Sequence, residues 1–535
     1  MTYRILVSDN LHQEGVEYFA SQADFAVEVR LGLAPDALRA AIADYDGLVI
    51  RSDTKVTKDV LENARKLKVI GRAGTGLDNV DIQEATRRGI VVMNTPGGNS
   101  ESAAELTIAM IMAVHRHIPQ ATASMKLGKW EKKKFQGREM AGKVLGVIGL
   151  GKIGSIVARR AIRGLKMSVL AYDPARTAEA ISQIGAKPAS LEEIYRKSDV
   201  ITVHTPLNES TRGLVGAEAF RMMKDGVFIV NCARGGILDE NALLEALESG
   251  KVAAAGLDDF TMKPPGQHPL VMHPRVVATP HLGASTSEAQ ITVAVAIAQQ
   301  VVAYLRDGVV RNAVNAPCAD PTANRKIGAY TDLAKRLGEF VGGLLTGGVA
   351  EMQVEYLGEL AAWPDVAPIT NSALLGLLVQ YEGAEVNPVN ARVIAEDRGI
   401  KILETTTQEP IQLGADLGVT ARNAQGEQVR ALGALIHRVG DEPRIVGIDG
   451  FVTEAVPAGP MLVVMNRDIP GVVAGVSGAL AANGINIGQM NLSRDRPGGM
   501  AMSIINIDVP AAKAVLEMIE RIEGIVRVRQ VTLDW

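Results

Sequence analysis

The sequence predicts an α/β chain: two doubly wound lobes on parallel sheets, then an α+β region, then a ferredoxin-like βαββαβ end. Three observations carry that expectation. Over about the first 310 residues, short apolar runs alternate with longer amphipathic stretches, the pattern of βαβ units and parallel sheets. A glycine-rich turn, Gly149-Leu150-Gly151-Lys152-Ile153-Gly154, joins one such run to a helical pattern. After the breaker Pro457-Ala458-Gly459-Pro460, the order reads strand, helix, strand, strand, helix, strand.

Length and composition fit several domains. The chain has 535 residues, 47% apolar and 22% charged, which excludes a disordered chain and supplies several cores. Its 56 basic and 60 acidic residues leave a net charge of −4. No basic excess marks a nucleic-acid binder. Two cysteines, Cys232 and Cys318, are too few for a disulfide framework, so a reducing cytoplasm is expected. The start, MTYRILVSDN, lacks the plan of a signal peptide, and no run reaches 18 apolar residues. No membrane partner is expected. The 54 glycines are the unexplained feature.

In the first lobe, residues 4–7, 47–50, 68–70 and 90–93 read as buried strands, with helices at 34–43 and 58–64. The second lobe reads as strands at 143–148, 168–172, 200–204, 227–231, 253–257 and 275–279. Long helical patterns at 100–126 and 285–306 flank it, and a strand-like 309–315 is placed to rejoin the first lobe. The third region reads as a helix at 329–345, a strand at 351–357, a helix near 371–379, and further strands through residue 448.

The fingerprint at 149–154 follows a β-like run and opens a helix, and Asp173 lies at the end of the next strand. This is the dinucleotide pattern of a Rossmann-like lobe. Gly149 is expected to permit the tight turn, Gly151 a close approach to pyrophosphate, and Gly154 close helix packing. Asp173 can accept from both ribose hydroxyls and repels a 2′-phosphate, which favours NAD; Arg176, close by, leaves NADP open.

Ligands of doubly wound sheets bind beyond the carboxyl ends of the strands. The polar residues there are Arg51, Arg72 followed by Ala73-Gly74-Thr75-Gly76, and Asn94 in the first lobe; in the second they are Thr205, Ala233-Arg234-Gly235, Asp258 and His281. Arginines in such places suit a small anionic substrate between the lobes.

The stretches IRSDTKVT, RAGTGLDNVD, NTPGGNSESAAELT, GLGKIG, NCARGGILDE, GLDDF and TPHLGAST resemble the NAD-dependent D-2-hydroxyacid dehydrogenases, in the phosphoglycerate dehydrogenase branch. The resemblance runs the length of the chain. It implies a substrate-binding domain from 1–98 and 285–318, an NAD-binding domain from 99–284, an intervening regulatory domain from 319–456 and an ACT domain from 457–535. It implies oxidation of 3-phospho-D-glycerate by NAD to 3-phosphohydroxypyruvate, the first step of L-serine biosynthesis, in a homotetramer.

By the same resemblance, His281 is the general acid/base and Arg234 holds the carboxylate and polarises the C2 oxygen. Gly149, Gly151, Lys152, Ile153, Gly154, Asp173, Thr205, Ala233 and Asp258 serve NAD, Asp258 at the nicotinamide carboxamide. Arg51, Arg72, Gly74 and Asn94 contact substrate, and Gly74 with Gly97-Gly98 offers backbone N–H groups to the anion. A lysine among Lys132, Lys133 and Lys134 reaches a neighbouring active site. No metal is implied.

One position departs from the pattern. The relatives place a glutamate, paired with the catalytic histidine, where this chain has Lys263, and the segment between Phe260 and His281 holds no Asp or Glu. A charged lysine lowers a histidine's pKa. Asp259 stands ready either to restore a carboxylate or to partner Lys263 alone. The expectation is retained activity with an altered pH profile. The alternatives are 2-oxoglutarate reduction by another D-2-hydroxyacid dehydrogenase, or a catalytically impaired amino-acid sensor. In the last domain, Asn466, Asp468 and Asn486 match the effector site for L-serine, Asn486 acting across a dimer interface, although Asp468-Ile469-Pro470 alters the usual signature.

Overall fold

The computed structural model describes residues 2–316, 325–363, 365–382, 386–407, 414–436 and 440–533. Cys318 and the expected boundary at 318/319 lie outside them.

The first lobe is a parallel five-stranded sheet of β1 (Tyr3–Val7), β2 (Phe25–Val29), β3 (Gly47–Ile50), β4 (Val69–Arg72) and β5 (Val91–Met93), ordered β2-β1-β3-β4-β5. β3 and β5 are buried throughout, because helices cover both faces of a parallel sheet. The edge strand β2 is mostly exposed, and its mixed FAVEV pattern hid it from the sequence reading. Helix Ser287–Asp307 is the one described helix long and apolar enough to cross a membrane. Here its Val293, Ala294, Ile297 and Val301 pack into the first lobe's core.

The second lobe holds β6 (Val144–Ile148), β7 (Ser168–Tyr172), β8 (Lys187–Pro188), β9 (Val200–Val203), β10 (Val227–Asn231), β11 (Val252–Leu257) and β12 (Val276–Ala278). Their order is β12-β11-β10-β9-β6-β7-β8, all parallel.

Two expectations are corrected. The helical pattern at 100–126 is two helices, Ser100–Arg116 and Ile118–Lys126, broken at His117 with φ +53°. Pro119 sits in the first turn of the second helix, where its missing N–H costs nothing. The strand-like 309–315 forms only an isolated bridge, Met93 to Ala313. Asn312 adopts φ +51° there, and the Asn315 side chain bonds Val92 N at 2.8 Å in place of a ladder. The segment does rejoin the first lobe.

The third sheet is mixed: β13 (Val349–Leu357), β14 (Lys401–Thr407), β15 (Leu417–Asn423), β16 (Gln428–Ile436), β17 (Glu442–Ile448) and β18 (Phe451–Ala455), ordered β14-β13-β15-β16-β17-β18. The fourth contains β19 (Gly459–Arg467), β20 (Ile487–Arg494), β21 (Met500–Ile507) and β22 (Ile525–Leu533), in antiparallel order β20-β21-β19-β22. Helices Val472–Ala482 and Lys513–Glu520 complete the ferredoxin-like plan. Met461, Val463, Ile504 and Val531 of this sheet share one core with Leu333, Leu337 and Val341 of helix Arg325–Leu344. The break at Pro457–Pro460 is a boundary in the chain but not in the packing.

Candidate active site

The carboxyl ends of β3, β4, β10, β11 and β12 converge on a cavity of about 1260 Å³ between the first two lobes. Arg51, Arg72, Gly74, Arg234, Lys263 and His281 all line it. Arg51 is set by the buried Asp9, whose carboxylate accepts from Arg51 N at 2.6 Å and Thr54 N at 3.0 Å. Gly74 has φ +145°, and a Cβ there would lie 2.1 Å from the Arg72 guanidinium. At Gly76 a Cβ would lie 2.3 Å from that of Arg234. These glycines therefore make room for two arginine heads. Arg234 is braced by Asp78 at 3.2 Å and by its neighbour's carbonyl, Ala233 O, at 2.8 Å. Asn231 holds the Arg234 loop through Ala233 N and Arg234 O. Burial and the neighbouring Arg234 push the Arg72 pKa down to about 10. The cavity is a crowded cationic site that favours an anion.

His281 sits at φ +57°, a left-handed turn. Asp258 fixes that turn by accepting from Thr279 Oγ1 at 2.6 Å, Leu282 N at 2.7 Å and Gly283 N at 2.9 Å. Its burial raises its own pKa, against those hydrogen bonds. The His281 ring is 44% exposed, with Nδ1 3.5 Å from Asp259. Burial lowers the His281 pKa, Asp259 opposes that, and Lys263 reinforces it. Lys263 Nζ lies 2.7 Å from Asp259 Oδ1, so Asp259 takes both partners foreseen for it.

Asn94 does not line the cavity. Its buried amide donates to Thr75 O at 2.7 Å and braces the 74–76 turn. The Lys132–Phe135 turn also lies outside its own chain's cavity, with Lys134 paired to Glu131 at 3.7 Å. Sequence reading missed Asp78 and Arg212 as cavity residues. Asp78 lies inside the quoted RAGTGLDNVD, but only the fold sets it beside Arg234.

Gly149, Gly151, Lys152, Ile153 and Gly154 form the turn from β6 into helix Lys152–Arg163. A Cβ at Gly154 would lie 2.0 Å from Gly149 O, whereas one at Gly151 would meet nothing within 4 Å. The backbone at Gly151 is thus open to a phosphate at a helix N-terminus. Asp173 at the end of β7 accepts from Leu150 N at 2.7 Å and Ala175 N at 2.9 Å. Thr205 lies against Gly149, and its buried Oγ1 has no hydrogen-bond partner. The residues present fit a dinucleotide. Lys152 Nζ donates to Pro96 O at 2.9 Å, which ties the turn to the first lobe.

In the fourth sheet, Asn466 and Asp468 lie together where β19 ends. Asp468 accepts from Arg494 at 2.9 Å and Gly498 N at 3.0 Å, and these bonds lower its pKa. Asn466 is buried with Oδ1 unpaired. Asn466 pairs with Ala501 at the start of β21, whereas Asn486 precedes Ile487, which pairs with Ile507 at its end. One chain does not bring Asn486 to the other two.

Residues 108–283 match the D-isomer specific 2-hydroxyacid dehydrogenase, NAD binding domain. Residues 326–449 match the D-3-phosphoglycerate dehydrogenase intervening domain, and 461–524 the ACT domain. A D-3-phosphoglycerate dehydrogenase of Methanocaldococcus jannaschii is 40% identical over 99% of this chain and 100% of its own length. The chain belongs to the D-3-phosphoglycerate dehydrogenase family. A Bacillus subtilis D-3-phosphoglycerate dehydrogenase is 38% identical over 99% of this chain and 100% of its own length. Among solved structures, the NAD+-bound 3-phosphoglycerate dehydrogenase of Entamoeba histolytica has a TM-score of 0.51 and 30% identity, over 59% of this chain and 99% of that one. In D-3-phosphoglycerate dehydrogenase terms, the cavity lies between the first two lobes, the glycine turn reaches the first lobe through Lys152, and the NAD-binding match spans the second lobe.

Proposed function

We propose that this chain oxidises 3-phospho-D-glycerate to 3-phosphohydroxypyruvate with NAD, the first step toward L-serine. The carrying observation is the gathering of Arg51, Arg72 and Arg234 at one cavity beside His281. The substrate has an anionic group at each end, and three guanidiniums can divide between them. Arg234 pairs with the carboxylate and polarises the C2 oxygen. Arg51 and Arg72 take the remaining negative charge, with Asn94 bracing the 74–76 turn that follows Arg72. His281 accepts the C2 hydroxyl proton as hydride leaves C2 with its electron pair and the carbonyl forms. NAD, when bound, supplies the hydride acceptor. Gly149, Gly151, Lys152, Ile153 and Gly154 would cradle its pyrophosphate and Asp173 its ribose hydroxyls. Thr205, Ala233 and Asp258 would face its nicotinamide side.

On this reading residues 1–98 and 285–318 form the substrate-binding domain and 99–284 the NAD-binding domain. Residues 319–456 and 457–535 are the intervening and ACT modules. The enzyme is a cytoplasmic homotetramer in which one of Lys132, Lys133 and Lys134 enters a neighbour's cleft. L-serine is the effector, held by Asn466, Asp468 and the Asn486 of a second subunit; the separation of Asn486 from the others supports a site between subunits. Asp259 beside His281 supports an active enzyme over an impaired sensor.

The test is NADH formation with 3-phosphoglycerate, D-glycerate and D-2-hydroxyglutarate side by side. A kcat/KM for the phosphorylated acid at least tenfold above the others is expected; preference for 2-hydroxyglutarate overturns the substrate assignment. Isothermal titration with L-serine is expected to give saturable binding in the millimolar range or tighter, and none removes the feedback role.

A further inference from the structure

We infer that Asp259 is the positioning carboxylate of His281 and that Lys263 tunes the histidine through it. The inference rests on reading His281 as the proton acceptor. Asp259 follows β11 and its side chain is only 2% exposed. Three loops meet on it. From the loop after β10, Gly235 N donates to Oδ2 at 3.3 Å. From its own loop, Phe260 N donates to Oδ1 at 3.0 Å and Lys263 Nζ reaches both oxygens, at 2.7 and 2.8 Å. From the loop after β12, His281 Nδ1 stands 3.5 Å from Oδ1.

The buried Asp259 carboxylate accepts from Gly235 N, Phe260 N and Lys263 Nζ. Facing Nδ1, it favours the tautomer with the proton there and leaves Nε2 as the acceptor. The 3.5 Å gap is an ion-pair distance that tightens into a hydrogen bond as His281 takes a proton. The Gly235 bond links the same carboxylate to the loop that carries Arg234. One residue thereby registers proton acceptor and carboxylate holder against each other.

Lys263 adds a second cationic partner to the same carboxylate. Its ammonium is half exposed and shares Oδ1 with His281. A carboxylate already neutralised by lysine attracts imidazolium less strongly than a free one. The charged groups facing His281 are Asp259, Lys263, Asp258 and Arg234. Lys263 therefore keeps His281 neutral, and able to accept a proton, to lower pH than Asp259 alone would allow.

The test uses the full chain with Asp259→Asn, Asp259→Glu and Lys263→Met. Two readouts run from pH 5 to 9: kcat/KM for 3-phosphoglycerate oxidation, and the rate at which diethyl pyrocarbonate modifies His281, followed by peptide mass spectrometry. NAD titration confirms that each variant is folded. Lys263→Met is expected to move the acid limb of both profiles upward by about half a pH unit or more. Asp259→Asn is expected to move both downward and to cut kcat at least tenfold with KM changed less than threefold; Asp259→Glu restores part of kcat. Profiles that superimpose on the parent's in folded Lys263→Met and Asp259→Asn overturn the inference. If the parent fails to turn over 3-phosphoglycerate while the modification profiles still shift, the substrate reading falls and the positioning assignment stands.

Discussion

Arg72 lines the cavity beside Arg51 and Arg234, with its Nε buried and unpaired. An anion relieves that state, so the residue's contribution belongs to substrate binding. Arg72→Met is expected to lower kcat/KM for 3-phosphoglycerate by about 10–100-fold, the worth of one charge-assisted pair, mainly through KM in steady-state assays. Asp173→Ser is expected to narrow the NAD-over-NADP preference in paired titrations. It should also weaken both cofactors, because Asp173 pins the glycine turn through Leu150 N. A different residue governs acid stability. His115 is buried against Phe228, and burial lowers its pKa from 6.5 to about 4. The unfolded chain binds that proton first, so the contribution is intact above about pH 6.5 and is lost as pH falls toward 4. The loss amounts to up to about 1.4 kcal/mol per pH unit. Urea midpoints across that window should fall less steeply in His115→Gln.

At the scale of elements, the glycine turn and the helix behind it form one unit. Gly154→Ala would drive a methyl into Gly149 O, and NAD affinity is expected to fall at least tenfold by calorimetric titration. Strands covered on both faces, such as β3 and β10, were readable from the sequence because nothing interrupts their apolar run. The edge strands β2 and β8 were not, since an edge needs burial on one side only or is too short for a pattern. The same contrast divides the site. Arg51, Arg72, Arg234 and His281 stand at the carboxyl ends of strands or within three residues of them and could be found by that rule. Asp78 could not: the fold alone brings it to Arg234 across 156 residues. Asp259 was visible as an extra acid, but its choice between two partners depended on loop geometry, and it takes both. The break at His117 depended on one left-handed residue inside an otherwise continuous helical pattern.

Across the whole molecule, the 54 glycines now divide by task. Gly74 and Gly76 admit arginine heads, Gly154 admits a backbone, and Gly235 lets its loop approach that of Phe260. The third and fourth sheets are separate in chain order yet share a core through helix Arg325–Leu344. They are expected to unfold as one transition in calorimetry, and Val531→Asp should lower that transition without a second one appearing. A ligand on the fourth sheet would thus act on a unit that includes the third. The central claim is that a cationic cleft beside His281 selects a phosphorylated hydroxy acid. It is tested most directly by the ratio of kcat/KM for 3-phosphoglycerate to that for D-glycerate, in the parent and in Arg72→Met. A ratio of at least tenfold that collapses in the variant is the result expected. A ratio near one in the parent, or one unchanged by the substitution, would contradict it.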